Sequence, residues 1–372
     1  MTSLLPVTCR RLTLVGLLLA SAAVGRLDAD DDVRLIAGPP IVLAPPPINK
    51  SIGNPVYCLA FAGDGDALVT GAASGALVWD VPSGKLRQTL EVDQRGVDAL
   101  ALDPRSTVLA IGGASGVIQV FDAKTFKLLH TLGSTTGATP GAVSGAVCGL
   151  SISPDGRQLA SVSSSGWQEG GGEEEADEPF GVTLWDLAAG RKQKEIAHPA
   201  PTFGATALAF LPEGKQLVTA QDRTLRVVDV EAGKTVETVE LPQLPRTLGA
   251  LALHADGRRL VTGAFEPMLR LWDVGGWKQV GGWDAHDREP PPRRGVSAVG
   301  FSPDGAYVLS GGMDGMVCVW DASNGRRLLE LDGRGEVSAR WITGVAMTAD
   351  NGWLAASHFG GTATLWRITA EK

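Results

Sequence analysis

The chain has 372 residues, with 44% hydrophobic and 20% charged side chains, an ordinary globular balance that excludes disorder as its global state. Its 48 Gly against 2 Tyr favour many short strands and tight turns over a helical bundle. The net charge of -8 opposes non-specific binding of nucleic acid, which needs basic surface, so no nucleic-acid partner is expected.

At the N-terminus Arg10 and Arg11 precede an apolar stretch from Leu12 to Val24, and Ala20, Ser21 and Ala22 offer small residues to a peptidase. Residues 1–25 therefore read as an export signal peptide, which makes an exported protein, periplasmic or extracellular, the expectation. A retained anchor is the alternative. The apolar run is shorter than the roughly 20 residues of a spanning helix, so no stable membrane insertion is expected once the signal is removed. Residues 26–54 read as a linker, in which prolines at 39–40 and 45–47 bound the short apolar run Ile41-Val42-Leu43.

From residue 55 to 372 the chain repeats. Aromatic or aliphatic residues paired with Asp recur at Trp79-Asp80, Phe121-Asp122, Trp185-Asp186, Val228-Asp229, Trp272-Asp273 and Trp320-Asp321, and Trp366-Arg367 ends the series. The steps run from 42 to 48 residues except for one of 64, the period of a four-stranded propeller blade with a single insertion. Upstream of each pair lies an apolar strand: Val56 to Phe61, Val97 to Leu102, Val147 to Ile152, Ala205 to Phe210, Leu248 to Leu253, Val296 to Phe301 and Ile342 to Met347. Large residues alternate there with Ala, Cys or Gly, so large faces of one sheet would meet small faces of the next. Turn pairs follow at Asp64-Gly65, Asp155-Gly156, Glu213-Gly214, Asp256-Gly257, Asp304-Gly305 and Asn351-Gly352, with Pro104-Arg105 as the exception. Such pairs tolerate positive φ and mark antiparallel hairpins. The pattern predicts an all-β, seven-bladed β-propeller with four antiparallel strands per blade.

Basic residues such as Lys85, Lys127, Arg191, Lys234, Lys278 and Arg326 open each outermost strand, where charge guards an exposed sheet edge. Cys58, Cys148 and Cys318 fall in apolar strand patterns without Cys-x-x-Cys spacing and read as buried free thiols. The insertion, residues 163–180, carries Trp167 and the acidic group Glu173, Glu174, Glu175, Asp177 and Glu178. It has no calcium-loop spacing and reads as a solvated acidic loop. No cofactor and no metal site are expected.

Ser302-Pro303-Asp304-Gly305, followed by Gly311-Gly312-Met313-Asp314-Gly315 and Val319-Trp320-Asp321, resembles the repeat of the Trp-Asp (WD) family, and the similarity runs over residues 55 to 370. The resemblance implies a hydrogen-bonded brace in the sixth unit, made by His286, Ser310, Asp314 and Trp320. The fourth unit keeps His198, Thr219 and Asp222 but has Val228, and the other units lack the His. The seventh unit stops soon after Trp366. By analogy with the family an N-terminal strand should close the ring, with Ile41 to Leu43 as candidate and Val33 to Ile36 as alternative.

Function is expected on the top face, where the connections before the inner strands emerge. Arg95, Arg246, Arg294 and Arg340 each stand two positions before an inner strand and together would ring the channel mouth. The alternative is solvated loop arginines beside Asp93, Glu289 and Glu336. Trp341 and Trp167 are candidate interface anchors. His130 reads as an outer-strand residue, His198 and His286 as brace positions, His254 as a hairpin residue and His358 as a loop residue, and the five show no metal-ligand spacing. These features favour a monomeric, non-enzymatic binding platform for a protein partner, acidic if the arginines engage it. Small-anion binding in the channel and a propeller hydrolase are the alternatives.

Overall fold

The computed structural model describes residues 34–47, 54–92, 96–133, 146–163, 181–197, 206–241, 248–286, 295–333 and 341–371. Among these the chain forms seven antiparallel sheets and no helix. The sheets are blades 1 to 7 in chain order, and the strands within each are inner, second, third and outer. The signal-peptide reading of residues 1–25 lies outside the described residues, as do 164–180 of the insertion.

The inner strands are Val56–Ala62, Val97–Leu102, Val147–Ile152, Thr206–Phe210, Leu248–Leu253, Val296–Phe301 and Ile342–Met347. Their alternation builds the core between blades. Cys58, Ala60 and Ala62 of blade 1 form one buried cluster with Leu100, Leu102 and Leu109 of blade 2. Around the ring, Ala346, Ala355 and Ala363 of blade 7 do the same with Leu59, Phe61 and Leu68 of blade 1. Five further clusters join the remaining neighbours. Because sheets converge toward the axis, only a small-lined face leaves room for its neighbour's large side chains, each of which stabilises the fold by about 1.5–3 kcal/mol when fully buried.

Six of the seven inner strands shift register at their second residue. The bulge turns that residue toward the adjacent blade. The Ser297 hydroxyl donates to the Ile342 carbonyl of blade 7 (2.6 Å), and the Thr343 hydroxyl donates to the Val56 carbonyl of blade 1 (2.7 Å). Polar ties thus repeat the apolar ones.

The hairpins between inner and second strands keep one conformation through different residues. The positive-φ position is Gly in blades 1, 3, 4, 5 and 6, Ser106 in blade 2 (51°) and Asn351 in blade 7 (54°). Two readings are corrected here. In blade 7 the pair in register is Asp350-Asn351 rather than Asn351-Gly352. In blade 2 the turn survives without Gly, because the buried Asp103 carboxylate accepts from the Thr107 and Val108 amides and holds Ser106 in place.

Both N-terminal segments close the ring. Ile41–Leu43 pairs with the last strand, Thr362–Glu371, through Ile41↔Leu365 to Leu43↔Ala363, and Arg34–Ala37 pairs with its far half through Arg34↔Glu371 to Ala37↔Ile368. Gly38 to Pro40 span the gap, with the Gly38 amide donating to the Arg367 carbonyl at 2.8 Å. The other outer strands carry a register shift at this level, beside the Trp column, so the Pro pair stands where a bulge would otherwise be.

A candidate interaction face

Strand direction puts the connections into the inner strands and the turns between second and third strands on one face, the top. The other two sets of turns form the bottom. Arg95, Arg246, Arg294, Arg340, Trp167 and the fourth unit's His198 lie outside the described residues. Trp341 is described and half-buried on the top of blade 7.

Trp341 is one of three aromatic rings in tilted contact. Its carbonyl accepts the Phe359 amide at 2.9 Å, its ring centroid lies 6.0 Å from that of Phe359, and Phe359 lies 6.2 Å from Tyr57 of blade 1. Phe359 is the first residue after the second strand of blade 7, a column that reads Ala73, Ala114, Asp222, Phe265, Met313 and Phe359 in the described blades. Three consecutive blades, 5 to 7, carry a large apolar residue in this column. The turns of blades 5 and 6 meet at Gly295: a Cβ there would come within 3.0 Å of Met313 Sδ and 3.1 Å of the Phe265 Cα. This column escaped the sequence reading, although it lies a fixed distance past each second strand.

Just below the turns, hydrogen bonds lock them to the third strands. In blade 6, Trp320 Nε1 donates to the Ser310 hydroxyl (2.9 Å), that hydroxyl pairs with His286 Nε2 (2.9 Å), and His286 Nδ1 stands 3.1 Å from Asp314. Blades lacking the His retain the half with Trp: Trp79 to Thr70, Trp185 to Ser161 and Trp272 to Thr262, at 2.8 to 2.9 Å. Blade 5 adds its own substitute. Glu266, the first residue of the third strand, pairs with Arg270, which stands across from Thr262 and whose guanidinium burial pushes below its ordinary pKa. In blade 7, His358 Nε2 lies 3.1 Å from the Thr364 hydroxyl. His358 is the last residue of the second strand rather than a loop residue, because it still pairs with Thr362. Burial lowers its pKa to about 4.

Charge is sorted along the outer strands. Their bottom ends begin with the basic column, and their top ends close on Glu91, Glu240, Asp284 and Asp332 in blades 1, 4, 5 and 6, all exposed. On the bottom, Asp350 and Asp80 are held by their own turns. The Thr348 hydroxyl and the Gly352 amide hold Asp350 below the usual carboxylate range, and Ser83 with Arg87 lowers Asp80 to about 2.

The fold is that of a β-propeller, and the repeat that builds it matches the model of the "WD domain, G-beta repeat" over residues 191–229 and 277–321. Each match begins at or just before the outer strand of one blade and ends with the third strand of the next, so a repeat of sequence straddles two blades. The chain is thus a seven-bladed β-propeller with WD repeats matched in two stretches, and it is similar to WD repeat-containing proteins.

Among its relatives is the WD repeat-containing protein WDS homolog of Arabidopsis thaliana, 27% identical over 291 residues, covering 75% of this chain and 50% of that protein. Cilia- and flagella-associated protein 52 of Chlamydomonas reinhardtii is 27% identical over 280 residues, 74% of this chain and 40% of that protein. Autophagy-related protein 16 of Arabidopsis thaliana is 20% identical over 285 residues, 75% of this chain and 49% of that protein. The chain spans half or less of the length of these relatives.

These relatives correct the expectation of an exported, periplasmic or extracellular protein. Names that refer to cilia and to autophagy belong to eukaryotic proteins of the cell's own machinery and point away from export. Two arginines before a short apolar run are a compositional pattern, and the run alone does not fix a compartment.

Proposed function

We propose that this chain is a non-enzymatic protein-interaction scaffold that works through its top face. The observation that carries this is the run of large apolar residues at one turn position of three consecutive blades, half-buried Phe265 and Phe359 with the more buried Met313 between them, continued by half-buried Trp341 and backed by the buried Tyr57. Aromatic and Met side chains are enriched in interface cores, and Met adapts its shape to a partner. The braces beneath fix the turns before any partner arrives, which lowers the entropy lost on binding. Kinship with WD-repeat proteins supports the same reading.

The test is site-specific photo-crosslinking in cells of the source organism, with the probe at Phe359 or Trp341 on the top and at Asp64 or Lys124 on the bottom. Discrete protein adducts from the top positions alone are expected. Adducts from the bottom positions alone would overturn the reading. A finer version, an acidic partner held by Arg95, Arg246, Arg294 and Arg340, rests on their shared place two residues before an inner strand; replacing all four by Ala should lower capture of such a partner and flatten its salt dependence, and unchanged capture overturns it.

A further inference from the structure

We infer that the bottom of the seam between blades 5 and 6 carries a proton-operated latch, in which His254 takes up a proton and releases Arg259 from blade 6. The device lies on the face opposite the proposed interaction surface and does not depend on it. In blades 3, 6 and 7 the residue after the inner strand is a hydroxyl residue that serves its own turn. Ser153, Ser302 and Thr348 donate to the carboxylates of Asp155, Asp304 and Asp350 at 2.5 to 2.6 Å and accept the amides five residues on. Blade 5 has His254 in that place, 7% exposed. Its Nδ1 keeps the local link, 2.7 Å from Asp256 Oδ1, while the far side of the ring reaches blade 6. There it meets the Phe301 ring edge-on at 5.0 Å, and its Nε2 lies 3.1 Å from the Gly305 carbonyl. Gly305 is what admits it, since a Cβ at that position would come within 2.0 Å of Nε2.

Each ring nitrogen faces one donor and one acceptor. Nδ1 has the Asp256 carboxylate and, at 3.1 Å, the Asp256 amide; Nε2 has the Gly305 carbonyl and, also at 3.1 Å, Arg259 Nη2. A neutral imidazole carries one N–H and one lone pair. With its hydrogen on Nδ1 it donates to Asp256 and accepts from Arg259, whose Nη1 donates to the Ala322 carbonyl of blade 6 at 3.0 Å. The guanidinium then clasps the seam. An imidazolium has no lone pair, so protonated Nε2 turns to the Gly305 carbonyl, and Arg259 faces a like charge at hydrogen-bond distance. The Arg259 side chain, 31% exposed, has a way out to water, and Asp256 remains as the counterion of the ring. Uptake of one proton from solvent thus exchanges a tie made by Arg259 for one made by His254.

Among the described residues, Asp256 and Arg259 are the charged groups within hydrogen-bond reach of the ring. The other titratable groups on the elements around it are Arg258 and Asp273 in blade 5, Glu213 and Lys215 in the blade 4 hairpin, and Asp304, Tyr307, Asp321 and Arg326 in blade 6. Asp273 accepts the Gly276 amide, Glu213 and Lys215 lie 3.9 Å apart, Asp304 binds Ser302 and Asn351, and Asp321 binds Ser323 and Asn324. Release of Arg259 is therefore set by His254, since imidazole is the side chain whose ordinary change of charge falls between roughly pH 5 and 8.

The experiment is nuclear magnetic resonance on the full chain with isotope-labelled His and Arg side chains, titrated from about pH 8 to 5. His254→Gln, Arg258→Gln and Arg259→Met assign the signals by their loss. Nε2 of His254 is expected to change from acceptor to N–H over one midpoint. The Arg259 guanidinium signal moves with that midpoint and loses its slow exchange with water, while Arg258 shows no such step. Arg259→Met raises the His254 midpoint by about half a unit or more, Asp256→Asn lowers it, and Arg259→Lys, which keeps the positive charge, stays nearer to the wild type. A ring that only fills the seam would leave these midpoints together. An Nε2 that carries its hydrogen already at pH 8, or gains none by pH 5, overturns the latch, as does an Arg259 signal that ignores the titration of His254. These readings come from the wild-type chain and decide the matter even where a variant does not fold.

Discussion

At the scale of single residues, Ser310 is the atom-level hub of blade 6. Its fully buried hydroxyl serves both Trp320 Nε1 and His286 Nε2, so Ser310→Ala leaves two buried ring nitrogens without that partner. The expected loss is about 1–3 kcal/mol, read by urea denaturation. Ser161→Ala in blade 3 removes a partner from Trp185 Nε1 alone and costs less. The buried His358 gives a pH signature. With its folded pKa near 4, below the ordinary 6.5, folding favours the neutral ring. That stability is present above pH 6.5 and is lost as pH falls toward 4, on the order of 3 kcal/mol in all. His358→Gln should flatten the stability profile in this window. A wild-type profile already flat there would contradict the assignment. The brace of blade 6 was legible because the family pattern marks all four residues. Arg270 with Glu266, and His358 with Thr364, were not, because each departs from the family's residue set: the first is an i,i+4 pair along one strand, the second a pair across a hairpin.

At the scale of elements, the N-terminal clasp depends on a contact no sequence pattern announces. Gly84, in the turn between third and outer strands of blade 1, has φ of 66°, and a Cβ there would come within 2.4 Å of Ile41 Cγ2 and 3.1 Å of Leu43 Cδ2. Gly84→Ala must therefore strain the turn and displace Ile41–Leu43, at a cost of about 1–3 kcal/mol. Hydrogen exchange should quicken at Ala363 to Leu365, the residues paired with that strand. Gly275→Ala, in a blade 5 turn where the added Cβ meets only Asp273 Oδ2 at 3.6 Å, is the near-neutral control. Strand starts were legible to within a residue, because alternation and Trp spacing are local. The true register of the blade 7 turn and the joint use of both N-terminal segments were not. Each depends on what the far end of the chain supplies.

At the scale of the whole molecule, the seven apolar clusters make stability a shared property, since every blade is half of two interfaces. The sharpest consequence concerns removal of residues 1–47. The last strand would lose its pairing along both halves, and Leu365, Ala363, Trp366 and Ile368, all buried in the intact ring, would lose cover. If blades were independent, this loss would produce a separate low-temperature transition for blade 7 and leave the rest unchanged. The clusters argue otherwise. Leu35 belongs to a cluster that holds Leu309 and Val319 of blade 6, while Leu43 belongs to one that holds Phe61 and Trp79 of blade 1. The truncated chain should therefore unfold in one calorimetric transition with a lowered midpoint. The bare edge of Thr362–Glu371 is an unpaired strand that invites pairing with a second copy. Sedimentation should accordingly show concentration-dependent association of the truncated chain, absent from the full one. Two resolved transitions would mean that closure protects blade 7 alone.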